Sequence, residues 1–451
     1  MIVVVDIILE FGLSVGVTLS VILPYVLLFS WSAGRFPDPY GYDDVWLANL
    51  LSELRQALVS SKMDYASSMF PHIMMLMGTD ILESILRRGT STSVTPAPDS
   101  IVAPLSNSRR RSSLMDFFPR TSSITPPRVS KRLHRVLHVL ELLAIGFAAT
   151  RVYLHYRTHS VATSHPIQGC GLHMYPWFAV NFSCAVIQIN CYRIKSVGTE
   201  QDMIKELDGL ERGVLTKLIF SHCPALEVPP IVTEFSHLQV LETFNCSIVK
   251  WEAPIRHSQQ PQLMQVHLVD TNMTVFPDGL MQPGPPQDLS LYLYHTNLSS
   301  LPNNVGEAWK TKKPWRYIRI ERSELTTIPE SISQAPIEFF SVVGNHIKRF
   351  PENIFATQTF TVLQLSQNPL VEIPASIGDT QALGIFMADD TNVSGLPPWF
   401  QDWYTTQKVV SLRGSPFCAS DTDGISPLCQ VVSPGAVFAF RYDLVVRFRP
   451  L

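Results

Sequence analysis

Between residues 215 and 417 one frame recurs, and a short recurring frame constrains a fold more tightly than composition does. Each unit holds too few apolar residues to bury its own face, so it must stack on its neighbours. The frame reads L-x-x-L-x-L-x-x-N-x-L-x-x-L-P, and its most regular copy is "FTVLQLSQNPLVEIP", Phe360 to Pro374. Units start at Leu215, Leu238, Leu263, Asp288, Trp315, Ile337, Phe360, Leu383 and Gln407, in steps of 22 to 27 residues. The first displaces the apolar residue of position 11 to Leu226, the second lacks the proline, and the last runs into Cys418.

The frame has a physical reading. Positions 4 and 6 point inward from a short strand, and stacked strands make a parallel sheet. Position 9 holds Asn345 and Asn368, or Cys223, Cys246, Thr271, Thr296, Ser323 and Thr391. A small polar side chain there satisfies backbone groups that a turn leaves unpaired. Proline at 15 holds φ as the chain turns to the convex side. Period and pattern are those of a leucine-rich repeat. The expected fold is therefore an α/β-type solenoid, a leucine-rich-repeat horseshoe with a parallel concave sheet.

The stretches "PWF…CAVIQINCYRI", "FSHCPALEVP" and "LETFNCSIVKW", with the T-N-[ML]-[TS] turns at Asn272 and Asn297, carry a closer likeness over about residues 165–430. On them the chain resembles membrane-anchored leucine-rich-repeat proteins of oomycetes. That resemblance implies an ectodomain that recognises a partner and catalyses nothing. Receptor-kinase relatives carry a kinase domain, but no glycine-rich or catalytic loop occurs here. The tail "VFAFRYDLVVRFRPL" has no counterpart in the resemblance and reads as an ill-placed final exon.

Composition points to a membrane. Charged residues are 16% of the 451-residue chain, against about 25% in globular domains. Residues Phe11–Trp31 form an uncharged run of the length a bilayer core requires. A cleaved signal peptide is the rival reading, weakened by the missing basic n-region and the length of the run. A second candidate span, Val136–Leu154, contains Glu141 and Arg151, so a buried helix competes with it. Arg109, Arg110, Arg111, Arg120, Arg128, Lys131, Arg132 and Arg135 precede it and place residues 33–135 in the cytosol by the positive-inside rule. All seven cysteines and the sequons at Asn181, Asn245, Asn272, Asn297 and Asn392 lie after it, as an oxidising, glycosylating compartment requires. The expected layout is a transmembrane helix over 1–33, a cytosolic helical or amphipathic segment over 34–88 and a disordered basic linker over 89–135. A second transmembrane helix over 136–156 follows, then an N-terminal cap over 157–214, nine repeats over 215–417, and a C-terminal cap and tail over 418–451.

Within the linker "RRRSSL" offers Ser112 and Ser113 to a basophilic kinase. The same arginines equally serve as a topology-setting flank or attract anionic lipid. "GLSVG", Gly12 to Gly16, fits both a nucleophile elbow and a helix-packing motif. Its apolar setting lacks the strand an elbow needs, so no catalytic role is assigned. No H-E-x-x-H, C-x-x-C or phosphate-loop motif occurs, and no metal or cofactor is expected. The net charge of −3 has no domain-wide basic bias, so nucleic acid is not an expected partner.

The caps are cysteine-rich. Two of Cys170, Cys184 and Cys191 are expected to bridge, and Cys418 and Cys429 to close the C-terminal cap. Cys223 and Cys246, at position 9 of adjacent units, read as ladder thiols. The expected binding surface is the solvent side of the concave sheet. There Tyr292, Tyr294, His295, Arg316, Tyr317, Arg319, Glu321, Arg322, Glu338 and Phe339 gather into an aromatic and basic patch. An ordinary solvated face is the competing reading. Two functions follow: a membrane-anchored protein, repeats outside the cytosol, binding a protein or peptide, or an intracellular scaffold in signalling. Oligomeric state is not legible.

Overall fold

The computed structural model describes residues 16–32, 36–37, 40, 42–57, 146, 149–150, 152–154, 156–161, 167–176, 179–281, 289–310, 315–354, 360–375, 382–404, 408–419, 426–430 and 442–449. It divides into two compact units, Met1–Leu28 with Glu53–Tyr153, and Phe29–Ser52 with Leu154–Leu451.

In the first unit the expected span Phe11–Trp31 is represented by a 12-residue helix, Val17–Leu28, with Pro24 inside it. Among the described residues no helix is long and apolar enough to cross a membrane, so neither expected transmembrane helix is present there. Most of the second span, and Ser112 and Ser113, lie outside the described residues.

The second unit is a solenoid. Its eleven-stranded sheet runs β1 (Cys170–His173), β2 (Cys184–Asn190), β3 (Lys217–Ser221), β5 (Val240–Phe244), β7 (Gln265–Val269), β8 (Ser290–Tyr294), β9 (Trp315–Glu321), β10 (Ile337–Ser341), β11 (Val362–Gln364), β12 (Ile385–Met387) and β13 (Val409–Ser411). The short β4 (Leu226–Glu227) and β6 (Ile248–Lys250) pair separately. Only β1 is antiparallel to its neighbour. From β3 to β13 the large sheet has one strand in each of the nine expected units. The cap stretch "CAVIQIN" forms the seven-residue β2, which pairs in parallel with β3.

Register is kept from unit to unit. Leu218, Leu241, Val266, Leu291, Ile318, Phe340, Leu363, Phe386 and Val410 lie in one inward row, and all are buried. Each meets the equivalent residue of the next strand about 4.8 Å away, so the core is continuous along the stack. On the other side, Pro229, Pro277 and Pro329 at position 15 lead with φ of −77°, −65° and −69° into 3-10 turns. Adjacent convex turns nearly touch: a Cβ on Gly306 would lie 1.5 Å from the Ser331 carbonyl oxygen.

Two consecutive positions make the turn after each strand. Position 8 is left-handed in every unit: His222, Asn245, Asp270, His295, Arg322, Gly344, Gln367, Asp390 and Gly414 all have positive φ. Position 9 then fills the corner. Asn368 Nδ2 donates to the carbonyls of Val342 and Leu365 at 2.8 and 2.9 Å, and its Oδ1 accepts from Ile347 N at 3.0 Å. Asn345 makes the equivalent set. Thr296 and Ser323 share a hydroxyl bond of 2.9 Å.

Disulfides join Cys170 to Cys184, Cys191 to Cys223, and Cys418 to Cys429. The second corrects the reading of Cys223 as a ladder thiol. The turn after β2 brings Cys191 to within 4.9 Å, Cα to Cα, of Cys223, and the cap is stapled to the first repeat. Cys246 keeps its buried thiol, and burial pushes its pKa up to about 12. Replacing Asn368 by Ala should strip the Leu365 carbonyl and the Ile347 amide of the partner Asn368 supplies, leaving the Val342 carbonyl to Asn345 alone, and cost about 2–4 kcal/mol. Urea unfolding of the variant checks this, and a cost below 1 kcal/mol would refute the role of position 9.

Candidate functional site

Strand alternation turns positions 3, 5 and 7 away from the core, onto the face predicted to be concave. The position-5 row reads Ile219, Glu242, His267, Tyr292, Arg319, Ser341, Gln364, Met387 and Ser411. The position-7 row includes Ser221, Phe244, Val269, Tyr294 and Glu321.

Several residues of the predicted patch meet there. The rings of Tyr292 and Tyr317 stack at 6.3 Å, and Tyr317 lies 5.1 Å from Phe339. The Arg319 guanidinium carbon sits 4.5 Å above the Phe339 ring centre and about 6 Å from both tyrosine rings. Part of the patch is buried rather than open to solvent. Arg319, Glu321, Phe339 and Tyr294 are 6%, 7%, 3% and 6% exposed. Glu321 is held by Ser341 at 2.6 Å and by Arg319 at 3.7 Å, and burial raises its carboxyl pKa despite that cation. Arg319 Nε is buried with no partner among the described residues. Tyr292 and Tyr317 are half-buried, Arg316, Arg322 and Glu338 are exposed, and His295 stands half-buried in its left-handed turn. Beside Arg316 and Tyr317 opens a hollow of about 720 Å³, lined also by Gln239, His257, Gln265 and Ser290.

The more N-terminal part of the face carries a charge cluster that the sequence did not disclose. Glu242 Oε2 lies 2.7 Å from Lys217 Nζ, and Glu242 Oε1 accepts from Arg449 Nε at 2.7 Å. Asp44 pairs with both Lys217 and Arg449. Two carboxylates and two cations thus close a ring from three remote parts of the chain. Burial alone would raise the Glu242 pKa, but Lys217 and Arg449 outweigh it and hold the carboxyl well below its usual range. The two carboxylates likewise hold the Arg449 pKa above normal against its burial. His267, 3.9 Å from Glu242, is neutral: burial drives its pKa down to about 4, more than the carboxylate restores.

Two elements lie over this face. The helix Tyr442–Arg447 stacks the Tyr442 ring on Tyr294 at 5.3 Å and donates its hydroxyl to Asp270 Oδ2 at 2.6 Å. Tyr42 joins Tyr442 in packing on the cluster of Phe244, Val269, Tyr294 and Val445. Asp44 opens a second helix, Asp44–Ala57. Lys217, Glu242 and His267 were legible as outward positions of early units. Nothing in local sequence linked them to Asp44 or Arg449.

The five sequon asparagines are all exposed. Asn297 Nδ2 donates to Asn272 Oδ1, so these two share a contact that glycans on both would crowd.

No family profile and no curated protein matches the chain. Among solved structures it is similar to the leucine-rich-repeat domain of the type III effector XopL, with TM-score 0.40 and 17% identity over 52% of this chain and 78% of that one. It is also similar to InlP of Listeria monocytogenes, with TM-score 0.37 and 15% identity over 54% and 71%. A third match is a complex of Latrophilin 3, Unc5D and the FLRT2 repeats, with TM-score 0.28 and 12% identity over 50% and 85%. The likeness to oomycete proteins rests on sequence alone.

Between its ordinary value of about 6.5 and about 4, His267 binds a proton in the unfolded chain but not in the folded one. Stability should therefore fall as pH drops through that window. Glu242, whose pKa is depressed on folding, adds a further loss below about 4.5. Urea midpoints at pH 7.5, 5.5 and 4.5 should decline, and His267→Gln should flatten the decline above pH 5.

Proposed function

We propose that this leucine-rich-repeat protein recognises a protein or peptide partner along the face of its parallel sheet, outside the cytosol, held at a membrane by its N-terminal apolar segments. The observation that carries the reading is the register. Ten parallel strands present aligned rows of outward side chains, so an extended or helical partner meets one row after another. Two accessible residues of the patch, Arg316 and Tyr317, line an open hollow large enough for a side chain. Tyrosine and arginine supply contact area and directed hydrogen bonds together.

Three disulfides and five exposed sequon asparagines support the extracytosolic placement over an intracellular scaffold, because the cytosol keeps thiols reduced. Nothing in the face calls for a cofactor, and binding without catalysis is the reading its geometry supports best.

Panning a random peptide library on the full chain should yield binders. Arg316→Ala with Tyr317→Ala should weaken them at least ten-fold while the thermal midpoint stays within a few degrees. Affinity unchanged in that folded variant would sink the sheet-face reading. On the expressed eukaryotic protein, glycosidase should increase gel mobility, and protease added to sealed microsomes should leave residues 170–430 intact. Digestion of the repeats would place them in the cytosol instead.

A further inference from the structure

The early part of the sheet face is occupied, and what occupies it has the character of a ligand. The chain from Tyr442 to Arg449 meets the repeats at Tyr442, Val445 and Arg449. The Tyr442 ring stacks on Tyr294, meets the edge of His295 at 4.8 Å, and its hydroxyl donates to Asp270. Val445, 6% exposed, packs with Phe244, Val269 and Tyr294, residues of three successive strands. Arg449 enters the carboxylate pair of Glu242 and Asp44. Tyr442 and Val445, spaced i and i+3, lie on one face of the helix Tyr442–Arg447, and Arg449 follows two residues past its end.

The receiving side is built for those features. Glu242 and Asp44 are 3% and 9% exposed at their side chains, and without Arg449 only Lys217 faces both. Two buried carboxylates against one ammonium require a second cation at that point. An arginine suits it, because its fork serves two acceptors at once. Asp270 sits at the left-handed position 8, with its carboxylate shared between His295 and the Tyr442 hydroxyl. The adjoining apolar floor is one side chain from each of β5, β7 and β8.

We propose that this is a peptide-docking groove filled by the chain's own C-terminal segment. Its external partner is a peptide that forms a helical turn carrying a tyrosine and an aliphatic residue three positions on, with an arginine just past that turn, seven positions after the tyrosine, and it competes with that segment. The proposal rests on the sheet face being the binding surface, and it names the chemistry of the occupant. The segment is an internal ligand, so binding from outside is weak until it is displaced.

The test uses the full chain and a fluorescein-labelled peptide of residues 440–451, FRYDLVVRFRPL, followed by anisotropy. The variant Tyr442→Ala with Arg449→Ala disarms the tail and leaves the groove intact. It should bind the peptide at least ten-fold more tightly than the unaltered chain. Adding Glu242→Gln and Asp270→Asn should abolish that gain, and a peptide with both anchors changed to Ala should not bind. A disarmed chain that melts cooperatively yet binds no peptide would make the tail a fixed part of the fold and overturn the proposal. Hydrogen exchange on the unaltered chain tests the same point without mutation. Amides 443–448 should exchange at least 100-fold faster than those of β7, and equal protection would overturn reversible docking. Losing the groove while the Arg316 and Tyr317 variant still loses binding would leave the sheet-face reading standing and move the partner to later repeats.

Discussion

The solenoid depends on the chain turning the same way after every strand. That turn is made by a left-handed residue at position 8 and a side-chain bond at position 9. A left-handed conformation costs roughly 1–2 kcal/mol in most residues. Here His, Asn, Asp, Arg and Gln bear it as well as Gly. What offsets it is the stack: once turned, the inward residues of positions 4 and 6 meet their equivalents on both sides, and the corner carbonyls find a donor. No unit supplies this alone, so turn, ladder and core form together.

The ring of Asp44, Lys217, Glu242 and Arg449 is a different kind of interaction. Charges taken from water are expensive, and a buried ion pair contributes little net stability over an apolar replacement. Its value is selectivity. The partly covered face accepts a cation where Arg449 sits and disfavours an apolar residue or an anion there. Register thereby passes from the sheet to segments about 170 and 200 residues away in sequence. The aromatic cluster around Arg319 works similarly, with three rings shielding one guanidinium.

Much of the architecture was legible because a solenoid repeats its instructions. Frame, strand positions, inward rows, corner residues such as Asn345 and Asn368, and convex prolines all follow from apolar spacing. The candidate site was legible only in part. Tyr292, Tyr317 and Arg316 fall where strand alternation puts them. The burial of Tyr294 beneath Tyr442 depends on a segment whose sequence has no repeat pattern, and "RYDLVVRFR" is too short to announce a partner. Cys223 was misread because its frame position describes its own unit, while its disulfide depends on where the cap's turn brings Cys191.

The sequence by itself determined the repeat, its period and the direction of every strand side chain, because these are local: alternation has a period of two, and a proline constrains its own φ. The tertiary structure decided which outward residues are open and which covered, which cysteines meet, and that Arg449 closes a ring with Asp44. Those outcomes depend on how remote segments fill shared space, and charge and shape complementarity across hundreds of residues leave no periodic trace in the chain.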